Sequence, residues 1–216
     1  MSTVAVIDYG MGNLRSVSKA IEHVAPKARV LLTAAADDIR KADRVVFPGQ
    51  GAIGGCMAAL EKNGLRESVM QAMKTKPFLG ICLGLQALYD FSEEAGGTPC
   101  LSFLAGSVKR FPVQPPIDAA TGLALKVPHM GWNQVHQLKP HPLWQGIAQG
   151  TRFYFVHSYY ADSTDTQDIA GETEYALRFT SAAARANIFA VQFHPEKSQR
   201  NGLRLLENFM SWNGNS

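Results

Sequence analysis

The sequence predicts an α/β fold: a central, mostly parallel sheet, mixed at one edge, with helices packed on both faces. Three observations carry this. Short apolar runs alternate with amphipathic stretches through the first half of the chain, the pattern of repeated strand-helix units. Thr3 to Asp8, Arg44 to Phe47 and Pro77 to Ile81 read as buried strands that run directly into glycine-containing turns. The second half adds further strands and is rich in aromatic residues, which places a mixed edge on the parallel core.

The elements follow in order. After the first strand comes Tyr9-Gly10-Met11-Gly12-Asn13, then a helix whose apolar positions Leu14, Val17, Ile21 and Val24 share one face. The turn lacks the last glycine of a dinucleotide fingerprint, so no dinucleotide site is predicted. Arg29 to Thr33 is the second strand, and Asp37-Asp38-Ile39 opens a short helix. The third strand, Arg44 to Phe47, enters Pro48-Gly49-Gln50-Gly51-Ala52, a turn whose backbone N–H groups can cradle an anion. Helices are predicted near Met57 to Glu61 and Leu65 to Met73, and a fourth strand leads to Cys82. Ala95 to about Leu125 reads as a long loop rich in glycine and proline, least regular at Phe111 to Pro116. Arg152 to Tyr160 reads as one aromatic strand with Phe153, Phe155 and His157 on one face. Asn187 to Phe193 is the last strand, and a closing helix runs through Leu203, Leu206 and Met210.

With 216 residues, 46% apolar and 18% charged, the chain is expected to form one globular domain, 1–216. A net charge of +3 from scattered basic residues points to no nucleic acid. No stretch has bilayer-spanning length and the N-terminus carries no secretory pattern, so a cytoplasmic protein without membrane partners is expected. Three cysteines, Cys56, Cys82 and Cys100, without C-x-x-C spacing argue against a disulfide framework or a zinc site. No cofactor or metal is implied.

The chemistry centres on Gly80-Ile81-Cys82-Leu83-Gly84-Leu85-Gln86. A buried strand, a nucleophilic residue between two glycines and a helical pattern through Ala87, Leu88 and Phe91 make a nucleophile elbow with sulfur in place of oxygen. Cys82 is expected at a helix N-terminus, which favours the attacking thiolate. The bland reading is a buried cysteine in a tight turn. The second motif is His194-Pro195-Glu196 at a strand end. In extended geometry both side chains point the same way, so the carboxylate orients the imidazole and leaves its other nitrogen as a base. His129 and His157 remain site-shaping candidates, while His23, His136 and His141 are expected at the surface.

These motifs, with Val191 to Lys197 and Pro48 to Gly51, resemble the class I (triad) glutamine amidotransferases from Val4 to Phe209. Within that class, Asp8 to Leu14, Pro128 to Asn133, Tyr154 to Tyr159 and His194 to Ser198 are similar to the glutaminase subunits of imidazole glycerol phosphate synthase. The resemblance implies a flavodoxin-like three-layer fold and hydrolysis of L-glutamine to glutamate and ammonia. It implies that Cys82 attacks the carboxamide, His194 moves protons and Glu196 orients it. The oxyanion falls to backbone N–H groups of Leu83 and of Gly49, Gln50 and Gly51, and glutamine to Gln86 and the backbone of His157, Ser158 and Tyr159. It further implies a separate (β/α)8 cyclase, HisF, which receives the ammonia, with Asn13, Met130, Trp132 and Lys197 at or near that interface. The alternatives are a glutaminase subunit for another acceptor, a stand-alone thiol hydrolase of the same fold, and a non-catalytic interaction module.

Overall fold

A computed structural model describes residues 2–10, 14–112, 117, 122 and 124–215. Its first half is the predicted alternation: β1 (Thr3–Ile7), α1 (Leu14–Val24), β2 (Arg29–Thr33), α2 (Ala36–Lys41), β3 (Arg44–Gly49), α3 (Ile53–Lys62), α4 (Arg66–Thr75), β4 (Phe78–Cys82) and α5 (Leu83–Gln86). Then come β5 (Phe91–Ser92), β6 (Thr98–Pro99), β7 (Gly106–Arg110), β8 (His129–Gln134), β9 (His136–Gln137), β10 (Arg152–His157) and β11 (Tyr159–Ser163). β12 (Ile169–Tyr175), β13 (Leu177–Arg185), β14 (Ile188–Val191) and α6 (Gln199–Ser211) close the chain.

Strands β2-β1-β3-β4-β14 pair in parallel, and β14 then pairs antiparallel with β13, which begins the mixed side of the sheet. Two cores follow from the two-residue period of a strand. Val4, Val6, Leu79 and Ile81 pack with Val17 and Ile21 of α1 and with Leu205, Leu206 and Phe209 of α6. Ala5, Ile7, Val45, Phe47 and Phe78 pack with Ile39, Cys56, Leu60, Val69 and Met73 on the opposite face. Each buried Val, Leu, Ile, Phe or Met among these contributes about 1.5–3 kcal/mol, so the strand that carries Cys82 is clamped from both layers. β8 and β10 form a separate antiparallel ribbon.

The structure corrects several sequence expectations. The helix after Cys82 lasts only four residues, and Phe91 lies in β5. The carbonyls of Ala87, Leu88 and Tyr89, which a longer helix would use, instead accept from the N–H groups of Leu101, Phe103, Leu104 and Ser102. The long loop contains β6 and β7, and β7 pairs with β11 inside the sheet. Part of its irregular Phe111 to Leu123 piece, residues 113–116, 118–121 and 123, lies outside the described residues. The single aromatic strand is two strands: β10 joins the ribbon and β11 the main sheet, with Ser158 between them. The buried stripe of α6 is Gly202, Leu205, Leu206 and Phe209, so Leu203 and Met210 flank it. His141 is buried against Phe189 and Trp212, its Nδ1 accepting from the Leu143 N–H at 3.1 Å, whereas His23 and His136 are exposed. No described helix is long and apolar enough to cross a membrane.

Candidate active site

Cys82 ends β4 with φ 55° and ψ −105°, a conformation that costs a side-chain-bearing residue about 1–3 kcal/mol. Its neighbours hold it there. β3 and β14 pair on either side of β4, with Gly49 opposite Cys82. The glycines allow the close approach: a Cβ on Gly84 would lie 1.8 Å from the Phe47 carbonyl oxygen, and one on Gly80 2.9 Å from that of Gly84. The thiol therefore faces a pocket of about 400 Å³ above the strand ends.

His194 follows β14 into the same pocket, and the segment beyond it is a tight 3-10 turn, Pro195–Lys197, in place of the extended geometry expected. Proline suits the first position of such a turn, and the His194 carbonyl is captured by the Lys197 N–H at 3.0 Å and the Ser198 hydroxyl at 2.7 Å. The His194 N–H donates to Tyr154 O at 2.9 Å, tying the turn to β10. α6 presses on it from behind, since a Cβ on Gly202 would sit 1.9 Å from the Pro195 carbonyl oxygen. The turn still brings imidazole and carboxylate together: His194 Nδ1 is 2.8 Å from Glu196 Oε1, with both side chains buried. The carboxylate can only accept there when ionised, so Nδ1 carries the proton and Nε2 is left for the sulfur. Nε2 has no hydrogen-bond partner among the described residues. Burial opposes charge on this ring, but the Cys82 thiolate and the bound Glu196 carboxylate outweigh it and raise its pKa to about 10.

The remaining expected residues fall into place unevenly. Gln50, Gly51, Leu83, Gln86, His157, Ser158, Tyr159 and Lys197 line the pocket with Cys82 and His194. Gly49 lies just outside, beside a small recess behind His194 and Glu196 and against the Tyr9 hydroxyl. Gln86 does not point its amide nitrogen freely at a ligand, because Nε2 donates to Tyr159 O at 2.9 Å and Gln192 Oε1 at 3.1 Å. His129 and His157 form a buried chain. His157 Nδ1 donates to Tyr159 O at 2.7 Å, which makes its Nε2 the acceptor from His129 Nδ1 at 2.9 Å. Burial lowers His129 to about 4 and His157 to about 3, so both rings are neutral shape-setters near neutral pH.

Met130 and Trp132 stand on β8, 62% and 41% exposed and away from the pocket. Trp132 packs edge-on to Tyr154, over whose ring Lys197 Nζ lies at 5.9 Å, so a continuous surface joins Lys197 at the pocket to the ribbon. Asn13 lies outside the described residues.

Two polar residues escaped the sequence reading. Glu94 lines the pocket and its Oε2 accepts from the Ile53 N–H at 2.7 Å, at the start of α3. Gln192 reaches Cys82 Sγ with Nε2 at 3.6 Å. The position of Gln192 two residues before His194 was a usable signal, because both then face one side of an extended strand. Nothing in the sequence around Glu94 marks it out.

Comparison with known proteins agrees with this geometry. The family model for class I glutamine amidotransferases matches residues 5–212. Imidazole glycerol phosphate synthase subunit HisH of Thiobacillus denitrificans is 60% identical over 210 residues, 97% of this chain and 91% of that protein. The HisH subunit of Aromatoleum aromaticum is 60% identical over 212 residues, 98% and 99% of the two chains. Among solved structures, the glutaminase domain of Trypanosoma brucei CTPS with bound acivicin superposes with a TM-score of 0.66 at 16% identity, covering 98% of this chain and 93% of that one. A glutamine amidotransferase from Thermotoga maritima gives 0.61 at 18%, covering 97% and 82%. Those two likenesses establish the fold. The family match across nearly the whole chain and the level of identity to the HisH subunits place this chain in the class I glutamine amidotransferases, as a member of the HisH family.

Proposed function

We propose that the chain is the glutaminase subunit of an imidazole glycerol phosphate synthase, a single cytoplasmic domain that hydrolyses L-glutamine and delivers ammonia to the cyclase HisF. The observation that carries the chemistry is the buried His194–Glu196 pair at 2.8 Å, whose imidazole shares a pocket with a strained Cys82. Cys82 gives its thiol proton to His194 Nε2, and its sulfur attacks the carboxamide carbon. The oxyanion is received by N–H groups of Leu83 and of the Gly49 to Gly51 turn, each worth on the order of 3 kcal/mol of barrier. His194 Nε2 hands its proton to the departing nitrogen, ammonia leaves and a γ-glutamyl thioester remains. Water, deprotonated by the same nitrogen, then releases glutamate and restores the thiol. Glu196 keeps the ring in the productive tautomer throughout. Glu94 supplies a carboxylate for the α-ammonium group of glutamine, and Ser158 and Tyr159 line the same pocket.

The HisH proteins are named as synthase subunits, which supports a second chain as the ammonia acceptor. The Met130, Trp132 and Lys197 surface and Asn13 are proposed to meet it. The test uses the complex with HisF and its ribotide ligand. Glutamate release is expected to be slow for the isolated chain and much faster in the complex. Cys82→Ala is expected to abolish glutamine-dependent cyclisation while ammonium-dependent cyclisation continues. Undiminished glutamine turnover in that variant would remove Cys82 from the mechanism.

A further inference from the structure

Gln192 is fully buried and bridges the two halves of the site. Its Nε2 lies 3.6 Å from Cys82 Sγ, and its Oε1 accepts from Gln86 Nε2 at 3.1 Å. The direction of both amides follows from one group that can only accept, the Tyr159 carbonyl, 2.9 Å from Gln86 Nε2. Gln86 must present N–H to that oxygen, so the same nitrogen faces Gln192. Gln192 must answer with Oε1, which leaves its own N–H on the sulfur. Turning the Gln192 amide over would set oxygen against the thiolate sulfur and NH₂ against NH₂, two repulsive contacts at once.

We infer that Gln192 is a thiolate-stabilising donor, aimed at Cys82 Sγ and locked in that direction by Gln86 and the Tyr159 carbonyl. The inference rests on Cys82 being the nucleophile. A hydrogen bond to sulfur favours thiolate over thiol, because the anion is the stronger acceptor. It acts twice in the cycle: before attack, when sulfur holds the negative charge, and again when the second tetrahedral intermediate collapses, the C–S bond breaks and the electron pair returns to sulfur. In the second role His194 returns to sulfur the proton it took from water, and the Gln192 N–H carries the sulfur's charge until that transfer is complete. The other titratable groups around the sulfur are His194, Glu196 and Lys197 at and after the end of β14, Glu94 and Tyr159 in the pocket lining, His157 at the end of β10 and Tyr9 beyond β1. None of them is altered by a change at Gln192.

The experiment is alkylation of the intact chain by iodoacetamide across pH, read by mass spectrometry of the Cys82 peptide. Cys56 and Cys100 do not compete, because both are buried and their thiols are pushed up to about 12 and about 11. Gln192→Met keeps the volume and removes the donor. Its alkylation midpoint is expected about one pH unit above wild type, so alkylation below the midpoint slows about tenfold. Should that variant fail to fold, Gln86→Met carries the test, since it leaves Gln192 in place and removes the donor to its Oε1, while the Tyr159 carbonyl keeps the His157 N–H at 2.7 Å; a rise in the midpoint is expected there too. An unchanged midpoint in the folded variant overturns the inference. The two readings separate cleanly: if Cys82→Ala loses glutamate release while Gln192→Met leaves the midpoint unmoved, only the role of Gln192 falls.

Discussion

The elbow offers a perturbation whose size can be worked from distances alone. In Gly84→Ala the added Cβ would lie 1.8 Å from the Phe47 carbonyl oxygen, where ordinary contact begins near 3.4 Å. One of the two backbones must give way by more than an ångström. Neither moves easily, because Phe47 sits in β3 between β1 and β4, and Gly84 lies in the turn of helix that fixes Cys82. Overpacking of a rigid core costs about 1–3 kcal/mol, which for a chain of this size lowers the melting temperature by several degrees. The larger effect is catalytic: a displacement of about 1 Å at the reacting atom costs on the order of 100-fold in rate. Glutaminase turnover in the complex and thermal unfolding of the isolated chain measure the two. Gly54→Ala is the internal control, since its Cβ would meet only Thr98 Oγ1 at 3.5 Å. That variant is expected to keep full turnover and to gain about 0.5–1 kcal/mol from helix propensity and lost chain entropy. Wild-type turnover and melting in Gly84→Ala would contradict this account, because the elbow would then tolerate a movement that the packing forbids.

Other consequences follow from the same geometry. Glu196→Gln can present an NH₂ group to His194 Nδ1 and stabilise the wrong tautomer, so kcat is expected to fall by about 10²–10⁴ while the melting temperature changes little; a fall below tenfold would count against Glu196 as the orienting acid. His129 and His157 are held neutral, so their contribution to stability is complete above the ordinary histidine pKa of 6.5 and is lost as pH falls toward about 4. For His129 alone this amounts to about 3 kcal/mol, and urea unfolding between pH 7 and 4 should show it; a flat profile would mean that the pair is not held neutral. Replacing both Met130 and Trp132 with Ala should lower melting only slightly, because Met130 is exposed and Trp132 packs only edge-on to Tyr154, and should weaken HisF binding at least tenfold by calorimetry. Unaltered affinity would move the proposed interface elsewhere.

The parts of the fold visible in the sequence are those whose signals are local. The strands from β1 to β4 carry uninterrupted apolar runs, and α1 carries a one-sided stripe, so their positions could be read directly. The misreadings arise where distant backbone competes for hydrogen bonds. Ala87 to Tyr89 have a helical pattern, yet their carbonyls are taken by the 101–104 segment, and the helix stops. The aromatic run through Tyr160 has one strand-like pattern, but Ser158 divides it between the ribbon and the main sheet. His141, flanked by proline, gives no local sign of the Phe189 and Trp212 rings that bury it.

For the site, the order of residues was enough to name the chemistry available: a cysteine between glycines at a strand end, a histidine with a carboxylate two residues on, and a glycine turn able to offer N–H groups. Residue type and spacing suffice for that, because backbone strain and proline geometry are short-range effects. How those groups meet came from the packed fold. It closed His194 and Glu196 through a tight turn, set Glu94 from beyond β5 into the pocket wall, and turned Gln192 toward the sulfur through Gln86 and Tyr159. Contacts between residues about 70 to 110 positions apart depend on how the strands are ordered in the sheet, and strand order is a property of the packed whole.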